Sequence, residues 1–494
     1  MKKMGIRRNI QLALLVAMSL GMSAGMAAQT DSQATPPPAS QAPPETTPPP
    51  AQTPPPAPAP AFGQTAPILS PENPPVTGLD EPGLDLHAAS RSFISPALQV
   101  SESADTNGSN ALGGSGLQPV SRVLGALDLQ QFWPKSDLFL EYLGGGAFYT
   151  NPYSVRQLQA AGFEAVTRWR TGQATLRDEF SYLPDGAFEI GFGGNPGLGI
   201  ATGGAMGTGI PGIHTFGAGQ FGSVGDIPRL TNSAILDAVQ AINPVSAITV
   251  AGGFSDAHFY DTPLGPLNPD PLINSDQLTL EGGYSHLINR HDQIGFIYAF
   301  QLFQFPQYTG GELYLNIVNL RYSHNLSGKL NLLISAGPQH TTLEDNSNGA
   351  YWSLSARVQL RYKLGHSALV ASYEKFTSPG SGIFAGANVQ AARLGYTRPV
   401  GRVWEFYGDL NFSHNAQIQS IPGFGVNATS YDEGSFGVIA RRHLGRTYDF
   451  FAAYRFNELG FNNTVTLAGS EGSIEQRQVG TIGLEWHPHP TRIE

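Results

Sequence analysis

The run Tyr351 to Leu364, YWSLSARVQLRYKL, takes apolar and polar residues in strict turn. Trp352, Leu354, Ala356, Val358, Leu360, Tyr362 and Leu364 fall on one side of an extended chain, and Ser353, Ser355, Arg357, Gln359, Arg361 and Lys363 on the other. A period of two is the signature of a β-strand with two unlike faces. A soluble sheet would show the same alternation on any single strand. Here it recurs: Trp404, Phe406, Gly408, Leu410 and Phe412 oppose Glu405, Tyr407, Asp409, Asn411 and Ser413, and Tyr448, Phe450, Ala452, Tyr454 and Phe456 oppose Asp449, Phe451 and Arg455. Repetition without intervening helical segments predicts an all-β fold, a transmembrane antiparallel up-and-down barrel. One face of each strand would touch hydrocarbon and the other a wet interior.

The pattern predicts strands over 137–150, 156–170, 173–183, 231–242, 245–259, 276–288, 292–303 and 312–323. It continues over 329–341, 351–364, 366–376, 389–398, 403–413, 431–443, 447–456 and 474–486, about sixteen strands in a barrel spanning 137–487. An even count is what single-chain bacterial barrels show. Short turns such as Thr171-Gly172, Asn243-Pro244 and Gly365 alternate with long connections: 184–230, 260–275, 304–311, 342–350, 377–388, 415–430 and 457–473. The stretch 312–323 alternates poorly, which predicts a bulge or a displaced boundary. Tyr142, Phe148, Trp169, Tyr182, Phe259, Tyr362, Trp404, Tyr448 and Trp486, near strand ends, fit interfacial girdles.

The chain upstream reads differently. Residues 1–28 carry Lys2, Lys3, Arg7 and Arg8, then an apolar centre from Leu12 to Leu20 and a small-residue cleavage context at Gly25-Met26-Ala27, as a secretory signal peptide does. Residues 29–117 are Pro/Ala-rich, then Gly/Ser-rich, and predict a disordered periplasmic tether, either a plain spacer or a contact to peptidoglycan or a periplasmic partner. Residues 118–136 predict a short helix or extended piece at the periplasmic mouth, and 488–494 a C-terminal tail.

Only 13% of the 494 residues are charged, against 59 Gly and 38 Pro. The net charge of -10 leaves no basic face for nucleic acid. No Cys is present, which removes disulfides, thiolate metal sites, Cys nucleophiles and a lipoprotein acyl anchor. Neither a G-x-S-x-G elbow nor an H-E-x-x-H pair occurs, so no enzyme, metal or cofactor is expected. His487 and His489 form only a two-ligand set near the chain end. The Gly-rich run within 184–230 lacks the Gly-Lys-Ser/Thr ending of a nucleotide loop and reads as a lumen constriction or a cap on the outer mouth.

With the apolar face outward, the charged residues should line the lumen. The candidates are Arg168, Arg170, Arg177, Arg357, Arg361, Lys363, Arg393 and Arg455, with Glu141, Glu164, Glu405, Asp409 and Glu485. Arg441, Arg477, Glu179, Glu281 and Asp449 share that expectation. Rings of charge set selectivity in pores. Arg357, Arg361 and Lys363 make either an anion-attracting wall or a ladder neutralised by carboxylates on neighbouring strands.

LEYLGGGAFYT, NPVSAITVAGGF, HLGRTYDFFAAYRF and QVGTIGLEWH resemble strand-turn-strand units of porin-type barrels of Gram-negative outer membranes, including barrels proposed for exopolysaccharide export. The resemblance covers about residues 137–487 and implies outer-membrane lipid and the barrel-assembly machinery as partners. In that family the last strand ends in an aromatic; Trp486 resembles it, although His487 to Glu494 follow. The long loop follows the third predicted strand rather than the fifth, so the constriction residues of general porins do not carry over. The expected function is a channel for passive diffusion of small polar or anionic solutes. The rivals are an exopolysaccharide export conduit and a structural or adhesive barrel without transport.

Overall fold

The computed structural model describes residues 92–106, 116–150, 153–183, 229–259, 273–308, 311–327, 329–344, 349–364, 367–380, 382–401, 403–420, 428–445, 447–467, 470–486, 488 and 491–492. The expected signal peptide, most of the tether, nearly all of the 184–230 loop, and His487 and His489 lie outside them.

The described residues form one antiparallel sheet. In chain order its strands are β1 (Phe93–Asp105), β2 (Gln118–Phe132), β3 (Ser136–Thr150), β4 (Tyr153–Trp169), β5 (Gly172–Leu183) and β6 (Arg229–Asn243). β7 (Ser246–Phe259), β8 (Ser275–Leu287), β9 (Asp292–Gln304), β10 (Leu313–Ser327), β11 (Leu330–Leu343) and β12 (Ala350–Leu364) follow. Then come β13 (Ser367–Ser378), β14 (Ala385–Val400), β15 (Trp404–Gln419), β16 (Ser430–His443), β17 (Tyr448–Leu467), β18 (Ser470–Trp486) and the two-residue β19 (Thr491–Arg492). Each strand from β1 to β18 pairs with the next in sequence, and β1 also pairs with β18, so the ring closes. β19 pairs with the start of β1, Phe93 opposite Arg492.

All sixteen expected strands are present, but the ring holds eighteen. Among the described residues the first strand of the ring begins at Phe93 rather than at Asp137. The additional pair, β1 and β2, falls where the tether and the mouth segment were expected, because FISPALQVSESAD hides its alternation behind Ser and Ala. Residues 457–473 are not a long loop: β17 runs to Leu467, with a register shift between Gly460 and Val465. The strand from Leu313 alternates cleanly in burial, and its irregularity lies further on, between Asn325 and Ser327.

The faces are inverted relative to a soluble protein. On β12, Trp352 is 72% exposed and Leu354 50%, whereas Ser355, Arg357 and Gln359 are buried. Val100, Val250, Leu280, Leu320, Phe436 and Ile482 are likewise exposed on other strands, while Gln99, Thr249, Glu281, Arg321, Ser435 and Arg477 are buried. Scattered exposed apolar residues need no explanation, but a continuous apolar exterior around a polar interior fits hydrocarbon outside. Trp133, Trp169, Tyr448 and Trp486 are exposed at the short-turn end. There Trp404 stacks on Phe406 (centroids 5.9 Å) under the Arg442 guanidinium (5.5 Å), an arrangement suited to a headgroup boundary. Phe259 departs from the expected girdle: it points inward and is buried.

The seam is reinforced from within. Arg477 on β18 donates through Nε to both carboxylate oxygens of Asp105 on β1, at 3.0 and 2.9 Å, and both residues are fully buried. Ser103 Oγ lies 2.8 Å from Thr481 Oγ1 and accepts from Arg122 Nη1 at 2.6 Å. Beyond the strand end, Thr106 N donates to the Gln478 carbonyl (3.0 Å) and Gln478 N to Thr106 Oγ1 (2.9 Å).

Two outcomes are expected. Val358→Arg, on the outer face, should destabilise the lipid-inserted barrel by about 2 to 4 kcal/mol in urea unfolding, and an unchanged midpoint would contradict its orientation. Arg477→Leu should cost about 3 to 5 kcal/mol by stranding a buried carboxylate. The double variant with Asp105→Leu should recover much of that loss, read by the same unfolding and by gel mobility of the unheated barrel.

Candidate functional site: the barrel lumen

Inward positions divide the lumen into a charged zone and an apolar one, and β10 shows the change on a single strand. From the long-loop end its inward residues are Leu313, Leu315 and Ile317, then Asn319, Arg321 and Ser323, all buried. Both zones alternate with outward Tyr314, Asn316, Val318, Leu320 and Tyr322. The poor alternation seen in the sequence therefore comes from an inner face that is greasy for half its length.

In the charged zone, Arg321, Ser335, Arg357 and Glu374 occupy one register row across β10, β11, β12 and β13. Arg357 Nε stands 3.4 Å from Glu374 Oε1. The row holds two guanidinium groups and one carboxylate. Two residues along each strand, Asn319 Nδ2 donates to Ser355 Oγ at 3.2 Å, tying β10 to β12 across β11. A second group lies toward the short-turn end, where Arg441 sits between Asp449 (3.8 Å) and Glu485 (3.6 Å) and His443 Nδ1 is 2.8 Å from Asp449 Oδ1. At the rim, Arg168 Nη2 reaches Asp137 Oδ2 at 2.6 Å. Charges removed from water need such partners, since an isolated buried ion is costly.

The expected lumen residues are distributed as follows. Arg357, Glu164 and Glu485 are buried on the inner face, together with Glu281, Arg441, Asp449 and Arg477. Arg455 is half-buried and donates from Nε to Asn457 Oδ1 at 3.1 Å, and Glu405 is half-buried between two outward positions. Arg168 marks the rim. Arg170 is exposed on the turn between β4 and β5, outside the strand ladder, because β4 ends one residue earlier at Trp169. The side chains of Arg177, Arg361, Lys363, Arg393, Glu141, Glu179 and Asp409 lie outside the described residues. Sequence reasoning missed Asp105 and Arg122 because their strands were assigned to the tether and to the mouth segment. Arg321 was missed with the blurred strand; counting by twos from it would have shown its parity with Ile317 and Asn319.

The apolar zone is built around the connection from β13 to β14. Instead of extending outward, this connection turns into the lumen, and Ile383 and Phe384 are wholly buried. Phe384 packs on Tyr431 of β16 (centroids 5.4 Å), and Tyr431 on Phe461 of β17 (5.9 Å). On the opposite wall, Ile273 N, just ahead of β8, donates to the Gly382 carbonyl at 2.8 Å. Gly382 has φ 80°, and a Cβ there would lie 2.6 Å from the Phe259 ring. Gly386 has φ 85°, and its Cβ would lie 2.4 Å from Leu313 Cδ1. Both positions need glycine for conformation and for space. Phe303, Phe305, Leu313 and Leu315 join Ala385 in the cluster facing β9 and β10.

No protein-family profile matches the chain, and no curated protein matches it in sequence. Solved structures to which the chain shows some similarity include Pseudomonas aeruginosa OccK2 (OpdF) in complex with glucuronate, at 10% identity and a TM-score of 0.39, covering 82% of this chain and 100% of that one. OccK5 (OpdH) of the same organism matches at 11% identity and a TM-score of 0.37, over 82% and 99%. OpdK with vanillate matches at 10% and 0.38, over 80% and 98%.

Proposed function

We propose that the protein is an outer-membrane channel for diffusion of small polar or anionic solutes, its short turns and both ends of the ring facing the periplasm. Barrels of this strand number are wide enough for an aqueous lumen. Short periplasmic turns and longer external loops are the usual arrangement. The observation that carries the reading is the row Arg321, Ser335, Arg357 and Glu374, a line of polar and charged residues on the inner face of the ring. A barrel whose only task was to stand in the membrane could fill that wall with apolar side chains at lower desolvation cost.

One observation favours a second reading. The apolar cluster around Ile383 and Phe384 fills part of the long-loop end, as a barrel without solute flux would have it.

Refolded protein in planar bilayers separates the two. The channel reading expects single-channel conductance with a preference for chloride over potassium in a salt gradient. It also expects Arg321→Glu combined with Arg357→Glu to move the reversal potential toward cation preference. Absence of conductance from a folded barrel, in both the unmodified chain and variants of the β13–β14 connection, would favour the closed barrel.

A further inference from the structure

We propose that the connection between Ser378 and Ala385 is a hinged apolar gate, closed in this structure, that must swing off the walls facing it before solute passes. The proposal rests on the channel reading and adds how passage is controlled. Three features carry it.

First, the connection bridges the ring. Through Gly382 it meets Phe259 of β7 and Ile273, and through Phe384 it meets Tyr431 of β16. In a ring of eighteen strands, β7 and β16 are nine apart and lie on opposite sides. A connection that touches both crosses the lumen.

Second, the connection is bonded mainly to itself. Ile383 N and Phe384 N both donate to the Gly380 carbonyl (3.2 and 3.0 Å), and Gly386 N donates to the Pro379 carbonyl (3.0 Å). Among the described residues, its backbone bond to the far wall is the one from Ile273 N, and Gly382 lies against the Phe259 ring there. It can therefore move as a unit without breaking the strand ladder. The β13–β14 pairing stops at Ser378 opposite Ala387, next to Gly386.

Third, the described side chains that the connection sends across the lumen, Ile383 and Phe384, are apolar and wholly buried. A hydrophobic constriction blocks ions by excluding water even when the gap is not completely filled. Displacing Ile383 and Phe384 would uncover the polar inner positions of β10 to β13 toward the short-turn end.

Gly382→Val cannot occupy the closed position, because its side chain would enter the Phe259 ring. Phe384→Ala removes the contact with Tyr431 without backbone strain. Each should raise open probability several-fold in planar bilayers, with the unheated barrel keeping its folded gel mobility. The chain has no cysteine, so Ile383→Cys gives a single thiol for a membrane-impermeant maleimide. Labelling should be slow in the otherwise unmodified chain and faster by several-fold when Gly382→Val is added. A conducting protein in which Ile383→Cys stays unlabelled and both gate variants conduct like the unmodified chain would overturn the gate. Labelling of Ile383→Cys with no current from any variant would instead overturn the channel reading, and the gating role with it.

Discussion

Hydrocarbon offers no hydrogen-bond partners to a backbone, and the whole structure answers to that constraint. Every strand edge inside a bilayer must be paired, so a sheet can stand there only when its first and last strands meet. Here the meeting is between β1 and β18, with eight residue pairs from Leu98 opposite Trp486 to Asp105 opposite Val479. The seam holds strands distant in sequence, and it is where the barrel places a fully buried ion pair, Asp105 with Arg477. The ion pair brings directional specificity to a contact that ladder hydrogen bonds alone could make in more than one register.

Once closed, the ring obliges side chains to choose between lipid and lumen at every step. The exposed large side chains of the outer face are apolar on strand after strand, whereas the inner face changes character along the strands. Toward the short-turn end the inner face carries Arg441 between Asp449 and Glu485, with the row of Arg321, Arg357 and Glu374 beyond them. Toward the long-loop end, on the side from β7 to β17, it carries Phe259, Phe303, Leu313, Phe384, Tyr431 and Phe461. One charged zone and one apolar zone are the two kinds of lining that charge selection and closure by dewetting use in pores.

The alternation of β12 and of the first half of β15 was plain in the sequence because large apolar residues and polar ones take turns there. β1 was hidden because its outward positions include Pro96 and Ala104 and its inward ones include Ser95, Gln99, Ser101 and Ser103, a composition shared with flexible linkers. The end of β17, NELGFNNTVTL, looks like a loop because Asn and Gly are turn formers; pairing with β18 overrides that local tendency. The inner charges on well-marked strands, such as Arg357 and Glu485, followed from parity alone. The apolar zone did not, because an inward Leu or Phe on a membrane strand has the same local pattern as a misplaced boundary. What distinguishes them is the fold of the β13–β14 connection, which brings residues far apart in sequence onto one spot.

Spin labels placed one at a time along Trp352 to Gln359, in a chain with no cysteine of its own, would read the central claim directly. In lipid vesicles, the relaxing effect of dissolved oxygen should be high at 352, 354, 356 and 358 and low at 353, 355, 357 and 359, a period of two in phase with the exposed apolar residues. A flat profile, or one with the phase reversed, would contradict a barrel that turns its greasy face to lipid.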